Sequence, residues 1–272
     1  MIKPDDLLKE QNFWIKALVY GAYGCGKTHF AATFEKCYFI MTDCGGEDTF
    51  LYKPELKNNV VGFVRLLPTS IEDTRRIFGD YGKKNGEFYQ AMAEAKELIA
   101  KGEVKTVILD SATYFAEQAW LYLNLVGAEY SATTGVLNIQ AMYGKLARYL
   151  HEQVAINFTS LPCNVIITAG ELLETEEAME RKVDKTNPIM PSILGGFRND
   201  IAGLVSLVLY LQKTKDVKGY HYLARTNMGQ GKQGKSRYPN IPEVVENISY
   251  QTLRDVILKS INPVKQEEKK GA

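Results

Sequence analysis

Lys27 and Thr28 stand at the end of Gly21-Ala22-Tyr23-Gly24-Cys25-Gly26-Lys27-Thr28, which has the spacing G-x-x-x-x-G-K-T. The glycines let backbone N–H groups close around a phosphate, the amine adds a fixed positive charge, and the hydroxyl beside it suits Mg²⁺. The spacing therefore predicts a cradle for the phosphates of ATP, made by residues 21–28 with His29 following, and Thr28 as a ligand of the cation. A second cation ligand belongs at the end of a buried strand. Val107-Ile108-Leu109-Asp110 supplies that pattern, apolar residues ending in a carboxylate. The plainer alternative for Asp110 is a cap on a helix over 111–126.

Hydrolysis also needs a group that orients or deprotonates water. Ser111, not a glutamate, follows Asp110, which argues against the helicase-loader and protease-chaperone types of ATPase. The acids nearest such a site are Asp43, Glu47 and Asp48, after a second apolar run, each of which could equally be a solvated turn carboxylate. Glu171, past a later apolar run, is placed to sense the terminal phosphate.

These residues need a frame, and apolar periodicity predicts one. Strands are expected at 15–20, 37–42, 60–67, 104–109, 164–169 and 205–211, with a seventh at 220–225 returning antiparallel. Helices are expected at 27–36, 71–79, 87–100, 114–126, 137–160 and 249–261. Ser70 and Asp73 have capping spacing, and Ile139, Met142, Leu146, Leu150, Val154 and Phe158 make one apolar stripe. Lys83 and Lys84, in a glycine-containing loop, read as a solvated turn. Alternating strands and helices imply an α/β fold, a mainly parallel central sheet flanked by helices with an antiparallel hairpin at its C-terminal edge.

Length and composition fit one domain over 14–261, with an arm at 1–13 and a charged, disordered tail at 262–272. Thirty-three basic residues against 32 acidic ones leave a net charge of +1, so any nucleic-acid contact must come from a local cluster. The four cysteines form no CxxC pair, which indicates neither a zinc site nor a disulfide framework. The N-terminus lacks signal-peptide features and no apolar run approaches the ~20 residues of a membrane helix, so a cytoplasmic protein without membrane contact is expected.

The ordered set of the loop at 21–28, an acidic strand end before Gly45-Gly46, Ile108-Leu109-Asp110-Ser111, a polar residue ending the run 164–171 and a late basic segment resembles the RecA/RadA recombinase core. It is most similar to the small phage-encoded ATPases of that class, over residues 14–240. The resemblance implies a RecA-like P-loop fold and ATP hydrolysis stimulated by single-stranded DNA. It also implies a homo-oligomer, ring or filament, with nucleotide at the subunit interface, acting in phage DNA recombination, repair or replication in the host cytoplasm. A phage single-strand-binding protein is a further partner. In the phage relatives an acid stands directly before Gly-Gly, where this chain has Cys44, so the resemblance assigns the water-activating role to the adjacent Asp43 in preference to Glu47. The resemblance places a DNA-contacting loop at 172–195, with Arg181, Lys182 and Lys185 on phosphates. It also implies basic residues acting on the neighbouring subunit's nucleotide, here Lys232, Lys235 and Arg237. The same phosphate loop also serves nucleotide and small-molecule kinases and non-hydrolysing nucleotide switches, and both remain alternatives.

Overall fold

The computed structural model describes residues 13–130, 134–172, 189–194, 196–217, 219–227 and 234–261. Its centre is formed by β1 (Lys16–Tyr20), β2 (Cys37–Met41), β3 (Val60–Arg65), β4 (Thr106–Asp110) and β5 (Asn164–Leu172). The strands β6 (Met190–Ser192), β7 (Leu207–Asp216), β8 (Gly219–Arg225), β9 (Lys235–Ser236) and β10 (Val244–Glu246) complete it. Spatial order is β10-β8-β7-β1-β5-β4-β2-β3, with β6 on β5 and β9 on β7. All pairings from β7 through β1 to β3 are parallel, whereas β8 and β10 are antiparallel additions at one edge. This is the α/β architecture expected from the sequence.

Every residue of β2 and β4 is buried, as strands covered on both faces require. Successive residues serve opposite layers. Leu18, Ile40, Leu109 and Ile167 point to one layer, and Val19, Phe39, Ile108 and Ile166 to the other. The first layer holds α3 (Asp73–Phe78), α4 (Glu87–Ala100), α5 (Ala112–Gly127), α6 (Ile139–Leu150) and α7 (Phe197–Leu204). The second holds α1 (Lys27–Ala32) and α8 (Tyr250–Ile261), while the short α2 (Asp48–Tyr52) follows β2.

Several expected boundaries move for local reasons. The first helix ends at Ala32 rather than at 36, and Lys36 takes a positive φ of 47° to turn the chain into β2. Ser70 accepts a hydrogen bond from the Asp73 N–H at 3.2 Å, but Asp73 returns its carboxylate to the Thr69 N–H at 2.8 Å, one residue earlier than a capping box on Ser70 requires. The long apolar helix starts at an Asn138 cap and continues beyond Leu150 as a π-helical stretch, His151–Ile156. Its stripe is buried from Met142 onward, but Ile139 is exposed because it precedes the contact with α5. The segment after residue 169 is more regular than expected: Gly170–Leu172 extend β5 by pairing with Met190–Ser192. The edge hairpin is longer than expected too, turning between Asp216 and Gly219. Among the described residues no helix is long and apolar enough to cross a membrane.

Phe115 anchors the larger layer. It is fully buried, with ring centroids 5.4 Å from Phe78 and 4.9 Å from Phe88. Removing its ring leaves a cavity that three helices cannot close. Phe115→Ala is expected to lower stability by about 3–5 kcal/mol, measured by urea unfolding. A loss below about 1 kcal/mol would mean that the helices repack.

Candidate functional site: a phosphate loop beside a buried carboxylate

The glycine loop leaves β1 and enters α1 directly. Two of its glycines are required by their surroundings. A Cβ on Gly21 would lie 2.4 Å from the Leu211 carbonyl oxygen of β7. Gly26 has φ +93°, and a Cβ there would meet the Tyr222 ring at 2.6 Å. No side chain caps the first N–H groups of α1. Lys27 folds over the loop, its Nζ donating to the carbonyls of Gly21 and Ala22, both at 2.9 Å.

The parallel register brings the second half of the site to the same level. β5 lies between β1 and β4, pairing Tyr20 with Ala169 and Leu109 with Ile167. Asp110 ends β4, is only 3% exposed, and accepts two hydroxyl hydrogen bonds. Thr28 Oγ1 donates to Oδ2 at 2.7 Å, and Thr168 Oγ1 donates to Oδ1 at 2.5 Å. Buried carboxylates require such partners. Gly46 closes over the pair: a Cβ there would sit 3.4 Å from Asp110 Oδ2 and 3.6 Å from Thr28 Oγ1. Two oxygens of hard-ligand type, side by side at the mouth of the loop, fit a Mg²⁺ ion with a phosphate chain on the loop.

The end of β2 is tied to the end of β4. The Thr42 N–H donates to the Asp110 carbonyl at 2.7 Å, its hydroxyl to the Ser111 carbonyl at 2.6 Å, and the Gln118 amide donates to the Thr42 carbonyl at 2.9 Å. Asp43 follows directly. Burial and the neighbouring Asp110 charge push its carboxyl up to about 6, against the opposing pull of Lys27 and the Gly46 N–H. Glu171 sits by the loop as well. It accepts a hydrogen bond from the Tyr210 hydroxyl at 3.0 Å, and its charge, after burial, helps raise the Cys25 thiol.

Other expected residues are placed differently. Glu47 is engaged by both guanidinium nitrogens of Arg65 at the end of β3, because that strand parallels β2 and delivers Arg65 beside the turn. Asp48 and Cys44 are exposed. His29 stacks on Tyr222 with centroids 5.4 Å apart, and burial lowers its ring's affinity for a proton. Tyr23 is exposed above the loop, where its hydroxyl bonds that of Tyr114 and helps push the Tyr114 phenol up to about 12. Lys235 donates to the carbonyls of Ala202 at 2.7 Å and Gly203 at 2.9 Å, and Arg237 donates to Gly203 at 2.6 Å. Both thus cap the C-terminus of α7. Since Lys235 pairs with Val208 at the start of β7, this is the end of the sheet remote from the same chain's loop. Arg181, Lys182, Lys185 and Lys232 lie outside the described residues.

A family model described as an AAA domain matches residues 14–238, most of the chain. The chain belongs to the AAA domain family. Ser111 after Asp110 therefore does not exclude the AAA class as a whole. No curated protein matches the sequence. Among solved structures, a KaiC-like protein from the hyperthermophilic archaeon Pyrococcus horikoshii is similar at 14% identity. It covers 81% of this chain and 82% of its own, with a TM-score of 0.35.

Sequence reasoning did not single out Thr168, Tyr114, Tyr222 or Arg65. Thr168 is a polar residue inside an apolar strand, and that was its available signal. The other three reach the site only through strand order and helix docking.

The raised Asp43 pKa has a stability consequence. A carboxyl whose folded pKa exceeds its unfolded value of 3.8 stabilises the fold when protonated, and that contribution is lost as pH rises through about 6. In nucleotide-free buffer containing chelator, Asp43→Asn is expected to be more stable than the parent at pH 8. The gain should vanish by pH 4, as read from thermal unfolding. A gain independent of pH would show that Asp43 is not desolvated.

Proposed function

We propose that this chain is a Mg²⁺-dependent ATPase of RecA-like type that works as a homo-oligomer, ring or filament, on single-stranded DNA. The setting is phage recombination, repair or replication in the host cytoplasm, with a phage single-strand-binding protein as a further partner. The observation that carries the ATPase reading is Asp110 held between Thr28 and Thr168 beside Lys27. Bound Mg²⁺ would neutralise charge on the terminal phosphates. Thr28 and Asp110 would hold the cation, and Thr168 keeps the carboxylate oriented. Lys27 exchanges the carbonyls of Gly21 and Ala22 for phosphate oxygens. Asp43 accepts the proton of the attacking water, a role suited to a carboxyl with a pKa about 6. Glu171, linked to Tyr210, connects the loop to the segment after β5.

DNA contact is assigned to Arg181, Lys182 and Lys185, and Arg237 is the residue acting on the neighbouring subunit's nucleotide. Arg237 suits that role better than Lys235, since Arg237 is exposed with one carbonyl partner, whereas Lys235 is spread over the end of α7. A non-hydrolysing nucleotide switch is the second reading. It is favoured by Glu47 being engaged by Arg65 and by a thiol, Cys44, standing before Gly45.

Two experiments test the proposal. Lys27→Ala is expected to reduce ATP turnover by about a hundredfold or more, with or without single-stranded DNA. Unchanged turnover would remove the ATPase assignment, and absent turnover in the parent with intact ATP binding would favour the switch. Arg237→Ala is expected to lower turnover on the scale of an arginine finger, about a thousandfold, at nearly unchanged nucleotide affinity. Mixing it with Lys27→Ala protein should restore part of the activity. No restoration at any ratio would place Arg237 outside a shared site.

A further inference from the structure

A cleft of about 320 Å³ opens between the loop 79–86, the C-terminal half of α5 and the end of α6. It reaches α5 at Tyr122, about 17 Å along the helix from Ser111 at 1.5 Å per residue, so it is separate from the phosphate loop. Its floor is built from tyrosines where the layer beneath uses phenylalanine. Tyr89, Tyr122 and Tyr149 line it, over Phe78, Phe88 and Phe115. The Tyr149 hydroxyl is buried and lies against the Tyr89 phenol, its interaction partner. Burial raises all three phenols, Tyr122 to about 12, so they remain donors at neutral pH.

The wall is Tyr81, whose ring is 55% exposed. It lies against the end of α5, where a Cβ on Gly127 would come within 3.3 Å of it, and Lys145 Nζ stands 6.0 Å from its centroid. The loop that presents it is closed by Asn85, which accepts the Asp80 N–H at 2.9 Å. The rim is cationic. Lys83 pairs with Asp80 at 3.2 Å and Lys145 with Glu129 at 2.6 Å. Lys84 and Arg148 line the cleft with no ion pair among the described residues, against one lining acid, Glu152. A chain of net charge +1 thus gathers two uncommitted cations beside an exposed aromatic face. That combination is what single-stranded nucleic acids use, stacking on a ring with phosphates on neighbouring cations.

We propose that this cleft is a second nucleotide-binding site, in which a base of single-stranded nucleic acid stacks on Tyr81 and its phosphates lie on Lys84 and Arg148. A free mononucleotide offers the same base-and-phosphate chemistry, and the test separates the two sources. The proposal takes its ligand class from the single-stranded-DNA reading but is independent of hydrolysis and of Arg181, Lys182 and Lys185.

The test uses the full chain carrying Lys27→Ala, so that the phosphate loop is already impaired. Binding of a labelled oligothymidylate and of AMP is measured across a salt series without ATP. Lys84→Glu with Arg148→Glu is expected to weaken oligonucleotide binding at least tenfold. The slope of log affinity against log salt should fall by about 1.4, the share of two phosphates on a single strand. Tyr81→Ala should weaken binding about tenfold, on the scale of one lost stacking interaction. If the same variants weaken AMP but leave the oligonucleotide unaffected, the cleft is a mononucleotide site and the shared chemistry stands. If neither ligand responds, or an acidic peptide alone competes for the cleft, the proposal is overturned. Persistent stimulation of the otherwise unmodified enzyme by DNA in the Lys84→Glu, Arg148→Glu background would then leave the ATPase reading intact. An enzyme that DNA never stimulates, but whose cleft variants lose oligonucleotide affinity, would remove only the coupling of DNA to turnover.

Discussion

The buried carboxylate of Asp110 sets the terms for the rest of the domain. A charge taken from water is tolerated only where hydrogen bonds replace hydration. Here two hydroxyls do so, one from the helix after the loop and one from the strand between. Both contacts depend on β1, β5 and β4 ending at a common level, which the parallel register provides. The two apolar layers hold that register, because slipping one strand by a residue would turn its buried side chains to the wrong layer. Packing far from the loop thus determines whether Thr28, Thr168 and Asp110 meet.

The same carboxylate shapes its neighbours. Burial first, and then the Asp110 charge, hold the Asp43 carboxyl well above the ordinary range. The next acid along, Glu47, pairs with Arg65. The two acids after β2 are therefore in different states: one poised near neutrality, the other committed to an ion pair. This distinction matters to any reaction that needs a proton acceptor beside the loop. It arises from the strand order, since β3 must lie beside β2 to deliver Arg65.

Basic residues divide in a similar way. Lys235 is spread over the carbonyls ending α7, where a cation also offsets the negative end of the helix dipole. Arg237 makes one such contact and is otherwise exposed, and Lys84 and Arg148 face a cleft instead of a backbone terminus. The difference separates a cation with a structural function from those with charge to offer a ligand.

Much of this protein was legible in its sequence. The phosphate loop was, because glycine spacing is dictated by phosphate geometry and tolerates little variation. The fold class and most elements were, because strands buried on both faces must be continuously apolar and helices must repeat near 3.6 residues. The place of Asp110 at the end of a buried strand was, because the apolar run before it marks that strand and its end. Only tertiary structure decided which groups surround them. Thr168 reaches Asp110 because β5 inserts between β1 and β4; Tyr222 packs on Gly26 because the edge hairpin folds back over the loop. Lys83 and Lys84 stand on an exposed turn, as their sequence suggests, but that they border a cleft floored by tyrosines comes from the docking of α5 and α6. Sequence patterns report a residue's own burial and backbone needs, whereas partners come from strand order and helix docking, which join residues far apart in the chain.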